Sequence, residues 1–159
     1  MGNNTNNYVF KALDAYPYDL EETMEALNYA LSYDTENTMA LTLMGRVYAE
    51  KLYNYPEAIS YYKEALAVKI EAFEVYEHYI NALLWNEDVI EAARFIDFAM
   101  SVKGADKAVL YLKKAALYEQ LKKYKKAMSY IKKAKENTFN ADFLGIVNEQ
   151  KKRVKAKMP

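Results

Sequence analysis

Apolar residues along this chain recur three and four positions apart, the spacing that places side chains on one face of an α-helix. Ala58, Tyr62 and Ala65 follow this spacing in one representative stretch. Strand-like alternation is lacking, and only 4 Gly and 3 Pro interrupt the pattern. The pattern predicts helices at about 20–33, 36–51, 71–85, 87–102, 106–121, 124–136 and 140–157, with a short helix before Pro17 and another after Asn54.

The helices repeat at a nearly constant interval. Alanine occupies four positions separated by 35, 34 and 35 residues, namely Ala30, Ala65, Ala99 and Ala134. The same intervals separate Leu20, Tyr55, Val89 and Tyr124, and again Thr23, Ala58, Ala92 and Ala127. A unit of this length accommodates two helices and a turn. We therefore expect the small residues to let paired helices approach closely and the tyrosines to fill the remaining space.

The repeat resembles the tetratricopeptide repeat (TPR) family, whose units of about 34 residues form a helix-turn-helix. The family's aromatic, apolar and small positions of the first helix correspond to Leu41, Met44, Gly45 and Tyr48, to Tyr76, Tyr79, Ile80 and Leu83, and to Tyr111, Lys114, Ala115 and Tyr118. Ile80 and Lys114 depart from the pattern, because they stand at a small and an apolar position. The resemblance implies an all-α, right-handed α-solenoid of TPR-like helix-turn-helix repeats with a C-terminal capping helix.

We expect one domain over 1–159, because a chain of this length with 52% hydrophobic residues can bury a sizeable core. The expected repeats are 8–34, which is degenerate, 36–70, 71–104 and 106–138, followed by the capping helix at 140–157. The Asn-rich segment 1–7 is expected to be disordered. One face of the capping helix is apolar, as a solenoid needs in order to cover its last layer, and consists of Phe143, Ile146, Val147, Gln150 and Val154.

The chain has few of the residues that catalysis or metal binding requires. It contains no Cys, one His at position 78, and no Gly-rich phosphate loop. We therefore predict a non-enzymatic protein with no cofactor and no metal. No run of about 18 apolar residues is present to span a membrane, and no secretory leader precedes a cleavage site. These observations favour a cytoplasmic location.

The TPR resemblance also implies a binding surface, because in that family the first helix of each repeat lines a concave groove for a peptide or protein segment. The implied lining is Met39, Thr42, Arg46, Glu50, Glu74, Glu77, Asn81, Leu84, Trp85, Val109, Leu112, Ala116 and Glu119. Apolar residues flanked by carboxylates predict a partner segment with apolar and basic side chains. Trp85, the only Trp, is either an anchor for that partner or a packing residue between helices.

The formal net charge of +0 hides an asymmetry along the chain. Residues 1–102 hold 6 Lys and Arg against 17 Asp and Glu, whereas residues 103–159 hold 16 against 5. One alternative function is therefore anion or nucleic-acid binding through Lys122, Lys125, Lys126 and Lys133. Nucleic acid is the less favoured partner, because only Tyr130 lies among these lysines for stacking and the acidic half would repel a polyanion. The other alternative is salt-sensitive self-assembly through the oppositely charged ends, although a monomer or weak homodimer is the expected state.

Overall fold

The computed structural model describes residues 2–159, with side chains from Asn4 onward, as helices joined by short turns. The helices are α1 (Gly2–Ala15), α2 (Leu20–Tyr33), α3 (Thr38–Arg46), α4 (Tyr55–Val68), α5 (Phe73–Trp85), α6 (Val89–Ser101), α7 (Lys107–Gln120), α8 (Tyr124–Glu136) and α9 (Ala141–Lys157). Helix α3 continues directly into a π-helical turn, π1 (Val47–Lys51). No strand occurs within residues 2–159, which confirms the all-α prediction.

Helix α1 begins earlier than the sequence pattern predicts. It starts at Gly2, and Thr5, Val9 and Ala12 are buried along one side of it. These three residues have helical spacing, so Thr5 extends the buried face by one turn. The expected disorder over 1–7 is therefore wrong for residues 2–7, and Met1 lies outside the described residues.

The helix starts follow capping signals that are visible in the sequence. The side chains of Asp19, Asn37 and Asn54 each accept a hydrogen bond from the backbone N–H three residues later, at 2.9, 2.9 and 3.2 Å. Asp106 and Asn140 cap α7 and α9 in the same way. A cap of this kind stabilises a helix by about 1 kcal/mol. Local sequence therefore fixes where these helices begin.

The chain divides into two compact units, residues 1–82 and 83–159, with the boundary inside α5. In the first unit, buried side chains of α1, α2 and α3 form one core that includes Val9, Leu27 and Met44. Gly45 lies directly against Tyr62 of α4, since a Cβ atom on Gly45 would come within 2.4 Å of the Tyr62 ring. The small first-helix residue is thus required because the aromatic ring occupies the neighbouring space.

In the second unit, α7 and α8 form a hairpin against which α9 packs. The buried residues of this core are Leu112, Ala115, Ala127, Ile131, Ala134, Val147 and Val154. Because Val147 and Val154 belong to α9, this helix covers the apolar layer of the hairpin, as expected of a capping helix. The single domain and its repeat boundaries stay predictions.

Candidate partner-binding surfaces

In the first unit, two of the predicted groove residues, Arg46 and Glu50, bind each other. Arg46 Nε donates to Glu50 Oε2 at 2.9 Å, and a second guanidinium nitrogen donates to Oε1 at 3.3 Å. The Tyr16 hydroxyl, from the connection between α1 and α2, donates to the same Oε1 at 2.9 Å. The Arg46 guanidinium also lies over the Tyr16 ring, 5.1 Å from its centroid. The two groove charges therefore largely neutralise each other.

The pKa values of Tyr16 and Glu50 are shifted in opposite directions. Burial, followed by the hydrogen bond to Glu50, raises the pKa of Tyr16 to about 12. Burial disfavours the charged form of Glu50, but hydrogen bonds from Arg46 and Tyr16 outweigh it, so the pKa of Glu50 lies below its ordinary value. At neutral pH, Glu50 is therefore ionised and Tyr16 is neutral.

The π-helical turn places Glu50 in this position. The Leu52 N–H donates to the Val47 carbonyl at 3.2 Å, five residues back, and the Asn54 N–H donates to the Tyr48 carbonyl at 2.8 Å. Tyr53 has a positive φ of 53° directly after the turn. The sequence pattern predicts an unbroken helix over 36–51 and misses this turn. π-helical turns are frequent at functional sites, but no sequence signal marks this one.

The only His of the chain lies in an aromatic stack. The His78 and Tyr62 rings stack with centroids 6.4 Å apart, and Tyr79 stacks on Tyr62 at 6.5 Å. Burial raises the pKa of Tyr62. Among residues 2–159, no three His, Asp or Glu side chains gather closely enough to hold a metal ion. His78 packs against the Tyr62 ring.

The other predicted groove residues of the first unit differ in exposure. Met39 is 46% exposed, and Glu74 and Glu77 are exposed, while Asn81 is half-buried. Thr42 is buried, and its hydroxyl donates to the Thr38 carbonyl at 2.6 Å. A buried side chain offers no surface to a partner. We therefore correct the predicted lining by removing Thr42.

In the second unit, the Trp85 side chain faces solvent. It is 49% exposed, whereas the preceding Leu84 is buried. Gln120 Nε2 at the end of α7 donates to the Leu84 carbonyl at 3.0 Å, which holds the end of α5 next to the end of α7. Val109 and Ala116 of α7 are half-buried. About half of the Trp85 surface is therefore exposed, and its role as a partner anchor or as a packing residue stays a prediction.

Helix α9 covers two further groove positions, Leu112 and Glu119. The Glu119 side chain is 8% exposed and accepts two hydrogen bonds from Arg153, both at 2.8 Å. Lys157 Nζ donates to Glu119 Oε2 at 2.7 Å, and the buried Gln150 donates to the Leu112 carbonyl at 3.4 Å. We therefore correct the prediction that Leu112 and Glu119 contact a partner, because residues of α9 contact them instead. We also correct the prediction for Leu84, because this residue is buried.

The electrostatic consequence is a carboxylate held in its charged form. Hydrogen bonds from Arg153, and then from Lys157, outweigh burial and keep the pKa of Glu119 below its ordinary value. The i, i+4 spacing of Arg153 and Lys157 places both cations on one side of α9. That spacing was the available sequence signal, but it does not identify the carboxylate.

Three tyrosines and three lysines form a cluster on α7 and α8, called here the lysine–tyrosine cluster. It consists of Tyr111, Tyr118, Tyr130, Lys114, Lys126 and Lys133. The Tyr130 ring stacks on Tyr118 at 5.4 Å between centroids and on Tyr111 at 6.3 Å. The sequence predicted stacking at Tyr130 alone. Two partners were missed because they come from the facing helix.

The lysines of this cluster lie over the tyrosine rings. Lys114 Nζ is 4.9 Å and Lys133 Nζ is 5.1 Å from the Tyr130 centroid, and Lys126 Nζ is 5.3 Å from the Tyr118 centroid. Lys114 also pairs with Asp97 at 3.3 Å. Lys126 and Lys133 are exposed, and among the described residues no carboxylate lies within salt-bridge distance of them. The other two predicted anion-binding lysines, Lys122 and Lys125, are exposed outside the cluster.

An oppositely charged aromatic surface occurs in the first unit, called here the glutamate–tyrosine face. The Tyr8 ring stacks on Tyr29 at 5.1 Å and on Tyr33 at 5.9 Å between centroids. Tyr29 and Tyr33 are 49% and 46% exposed. Exposed Glu21 and Glu25 line a surface groove along α2 that also includes Tyr29 and Ser32. The sequence analysis did not single out this face.

Several solved structures have a fold similar to that of this chain. No protein-family model matches the chain, and no curated protein is significantly similar to it. Among solved structures, MamA matches with a TM-score of 0.69 and 20% identity, covering 84% of this chain and 73% of MamA. A MamA structure from Desulfovibrio magneticus RS-1, covering residue 41 to the end, matches with a TM-score of 0.71 and 18% identity, over 99% of this chain and 90% of the other.

PilW, described as a widely conserved type IV pilus biogenesis factor, matches with a TM-score of 0.72 and 19% identity, over 82% of this chain. The match spans 60% of PilW. These neighbours contain TPRs, so the fold is an all-α, TPR-like helical repeat fold, as the spacing predicted. At these identities the likeness establishes the fold alone. Within the described part of the chain, no helix has both the length and the apolar character needed to cross a membrane.

Proposed function

We propose that this chain is a non-enzymatic protein-interaction module that binds a peptide or protein segment through its first-helix surfaces. In the first unit this surface comprises Met39, Arg46, Glu50, Glu74, Glu77 and Asn81. In the second unit it comprises Trp85, Val109 and Ala116. Thr42, Leu84, Leu112 and Glu119 are left out because they are buried. The expected cytoplasmic location stays a prediction.

The exposure of Trp85 carries the proposal. A Trp side chain that remains 49% exposed leaves a large apolar area in water, and covering that area with a partner is favourable. Trp is enriched among the residues that dominate binding energy at protein interfaces. The half-buried Val109 and Ala116 add apolar area on α7 in the same unit.

The charges of the first-helix surface indicate what kind of segment would bind. Arg46 and Glu50 bind each other, and Glu74 and Glu77 add exposed carboxylates to this surface. Met39 lies on α3, another first helix, and its exposed side chain provides an apolar contact. A segment with apolar residues and at least one Lys or Arg would match both features.

The test is selection of random peptides displayed on phage against the full chain. Selected peptides should combine apolar residues with Lys or Arg and should change the fluorescence of the single Trp. Dye-labelled copies of these peptides, measured by fluorescence anisotropy, should bind Trp85→Ala at least about tenfold more weakly, the effect typical of an interface anchor. Glu77→Lys should weaken binding of the basic peptides.

Ile90→Ala is the matched control, because Ile90 is an apolar residue that is 75% exposed on second helix α6. This variant should bind the selected peptides as tightly as the parent. Circular dichroism establishes that each variant is folded. Failure to select any peptide, or equal binding by the parent, Trp85→Ala and Glu77→Lys, would overturn the proposal.

A further inference from the structure

From the lysine–tyrosine cluster and the glutamate–tyrosine face we infer that two copies of this chain associate, the cluster of one copy binding the face of the next. This contact is separate from the first-helix surfaces of the proposed function. It uses α7 and α8 on one copy and α1 and α2 on the other. Each copy carries both halves of the contact, so the association is head to tail.

The two units carry opposite formal charges. Residues 1–82 hold 5 Lys and Arg against 13 Asp and Glu, a formal charge of −8, whereas residues 83–159 hold 17 against 9, a formal charge of +8. The whole chain is formally neutral at pH 7. Copies therefore have no net repulsion to overcome, while their oppositely charged units attract each other.

The lysine–tyrosine cluster presents two cationic groups to a second copy. Lys126 and Lys133 lie over tyrosine rings, which fixes two ammonium groups above an aromatic surface. Neither ammonium has a carboxylate within salt-bridge distance in the described chain. A partner with carboxylates at these positions would therefore form charge-assisted hydrogen bonds with both ammonium groups.

The glutamate–tyrosine face supplies carboxylates that match these ammonium groups. Glu21 and Glu25 are exposed, one helical turn apart, and no salt bridge among residues 2–159 uses either of them. Their groove also includes Tyr29, which is stacked on Tyr8. Two carboxylates beside exposed tyrosines thus face two ammonium groups beside tyrosines. The lysines of the cluster would then also lie near the exposed tyrosines of the face on the other copy.

The contact is expected to be weak and sensitive to salt. Exposed ion pairs each contribute little, and ions screen them at moderate ionic strength. Sedimentation velocity of the full chain at low ionic strength should therefore show a mass that increases with protein concentration. Because the contact is head to tail, the mass should rise beyond a dimer unless the rotation closes a ring. At about 0.5 M salt the protein should be monomeric.

Charge reversal provides the decisive test. Lys126→Glu/Lys133→Glu should be monomeric, because both halves of its contact are acidic, and Glu21→Lys/Glu25→Lys should be monomeric because both halves are basic. An equimolar mixture of these two variants should associate again, since each variant presents the charge that the other requires. Restoration on mixing distinguishes a direct contact from loss of folding, which mixing would not repair.

Lys132→Glu/Lys135→Glu is the matched control, because it makes the same charge change at exposed α8 positions outside the cluster. This variant should retain most of the association. A parent that remains monomeric at all concentrations in low salt overturns the inference. So does a mixture that fails to associate, or a control variant that loses association completely.

A polyanion is the competing occupant of the lysine–tyrosine cluster. Its test is the binding of a fluorescent single-stranded oligonucleotide to the parent and to Lys126→Glu/Lys133→Glu. Binding by a monomeric parent that is lost in this variant would assign the cluster to nucleic acid and reject the second copy.

Discussion

Glu119 and Arg153, 34 residues apart, form a two-point ion pair that fixes α9 to α7. Both guanidinium-to-carboxylate distances are 2.8 Å, and Lys157 adds a third hydrogen bond at 2.7 Å. The carboxylate is almost fully buried, whereas the cations are about half exposed. The pair therefore couples the last helix to the hairpin by polar contacts as well as by the apolar contacts of Val147 and Val154.

Replacing Glu119 with Gln should destabilise the chain by about 1–3 kcal/mol, because hydrogen bonds between ionised groups are lost at a buried position. The loss should appear in urea unfolding followed by circular dichroism. Hydrogen exchange should accelerate most in α9. Glu149→Gln removes an exposed carboxylate from α9 and should change the free energy of unfolding by less than about 0.5 kcal/mol. Equal effects of the two substitutions would show that the ion pair does not stabilise the fold.

Stability should fall in acid because the pKa values of Glu50 and Glu119 are lowered in the folded chain. In the unfolded chain a Glu titrates near pH 4.3, so at slightly lower pH the unfolded state binds more protons than the folded state. The free energy of unfolding should therefore be at its full value above about pH 5 and decrease as the pH falls through the folded values. Glu119→Gln should have a shallower acid dependence than the parent, and identical slopes would contradict the assignment.

Stability should also fall in alkali, with Tyr16 as one cause. Its pKa is raised to about 12 in the folded chain, from an ordinary value of 10.0. Between these values the unfolded state loses the Tyr16 proton while the folded state keeps it, so unfolding becomes easier as the pH rises. Tyr16→Phe has no such proton and should show a flatter dependence over this range. At neutral pH the same substitution should cost about 1 kcal/mol through the lost hydrogen bond to Glu50.

Two glycines should respond in opposite directions to replacement by Ala. Gly45→Ala should destabilise the chain by about 1–3 kcal/mol, because the added methyl group would lie 2.4 Å from the buried Tyr62 ring. Gly145→Ala should stabilise it by about 0.5–1 kcal/mol, because Gly145 is inside helix α9 and the added Cβ would meet no atom within 4 Å apart from its chain neighbours and the nearby backbone of its own helix. Thermal unfolding of both variants measures the contrast. A stabilising Gly45→Ala would mean that Tyr62 can move away at little cost.

Most of the helices could be predicted from local sequence. The apolar spacing, the capping residues Asn37, Asn54 and Asp106, and the repeat interval of 34 or 35 residues are all properties of neighbouring or periodic positions. The π-helical turn at Val47–Lys51 could not be predicted, because its side-chain pattern is the same as that of an α-helix. The helical start of α1 was missed because an Asn-rich composition hides the buried position of Thr5.

In the predicted binding surface, some side-chain contacts follow from neighbouring residues and others depend on distant helices. Glu50 and Glu119 lie 69 residues apart, two repeat lengths, and the sequence assigns both to the same groove register. Glu50 of π1 pairs with Arg46 at the end of α3, four residues earlier, so both partners come from one local stretch of the sequence. Glu119 pairs with Arg153 of α9, and only the packing of that helix brings the two together.

The class of fold follows from the sequence, because helix spacing and the repeat interval are local and periodic. Which groove side chains remain exposed depends on how the helices pack. Packing left Trp85 in solvent, buried Leu112 and Glu119 beneath α9, and gathered tyrosines from α7 and α8 into one stack. Burial depends on which distant residues approach one another, and that approach is set by the packing of whole helices.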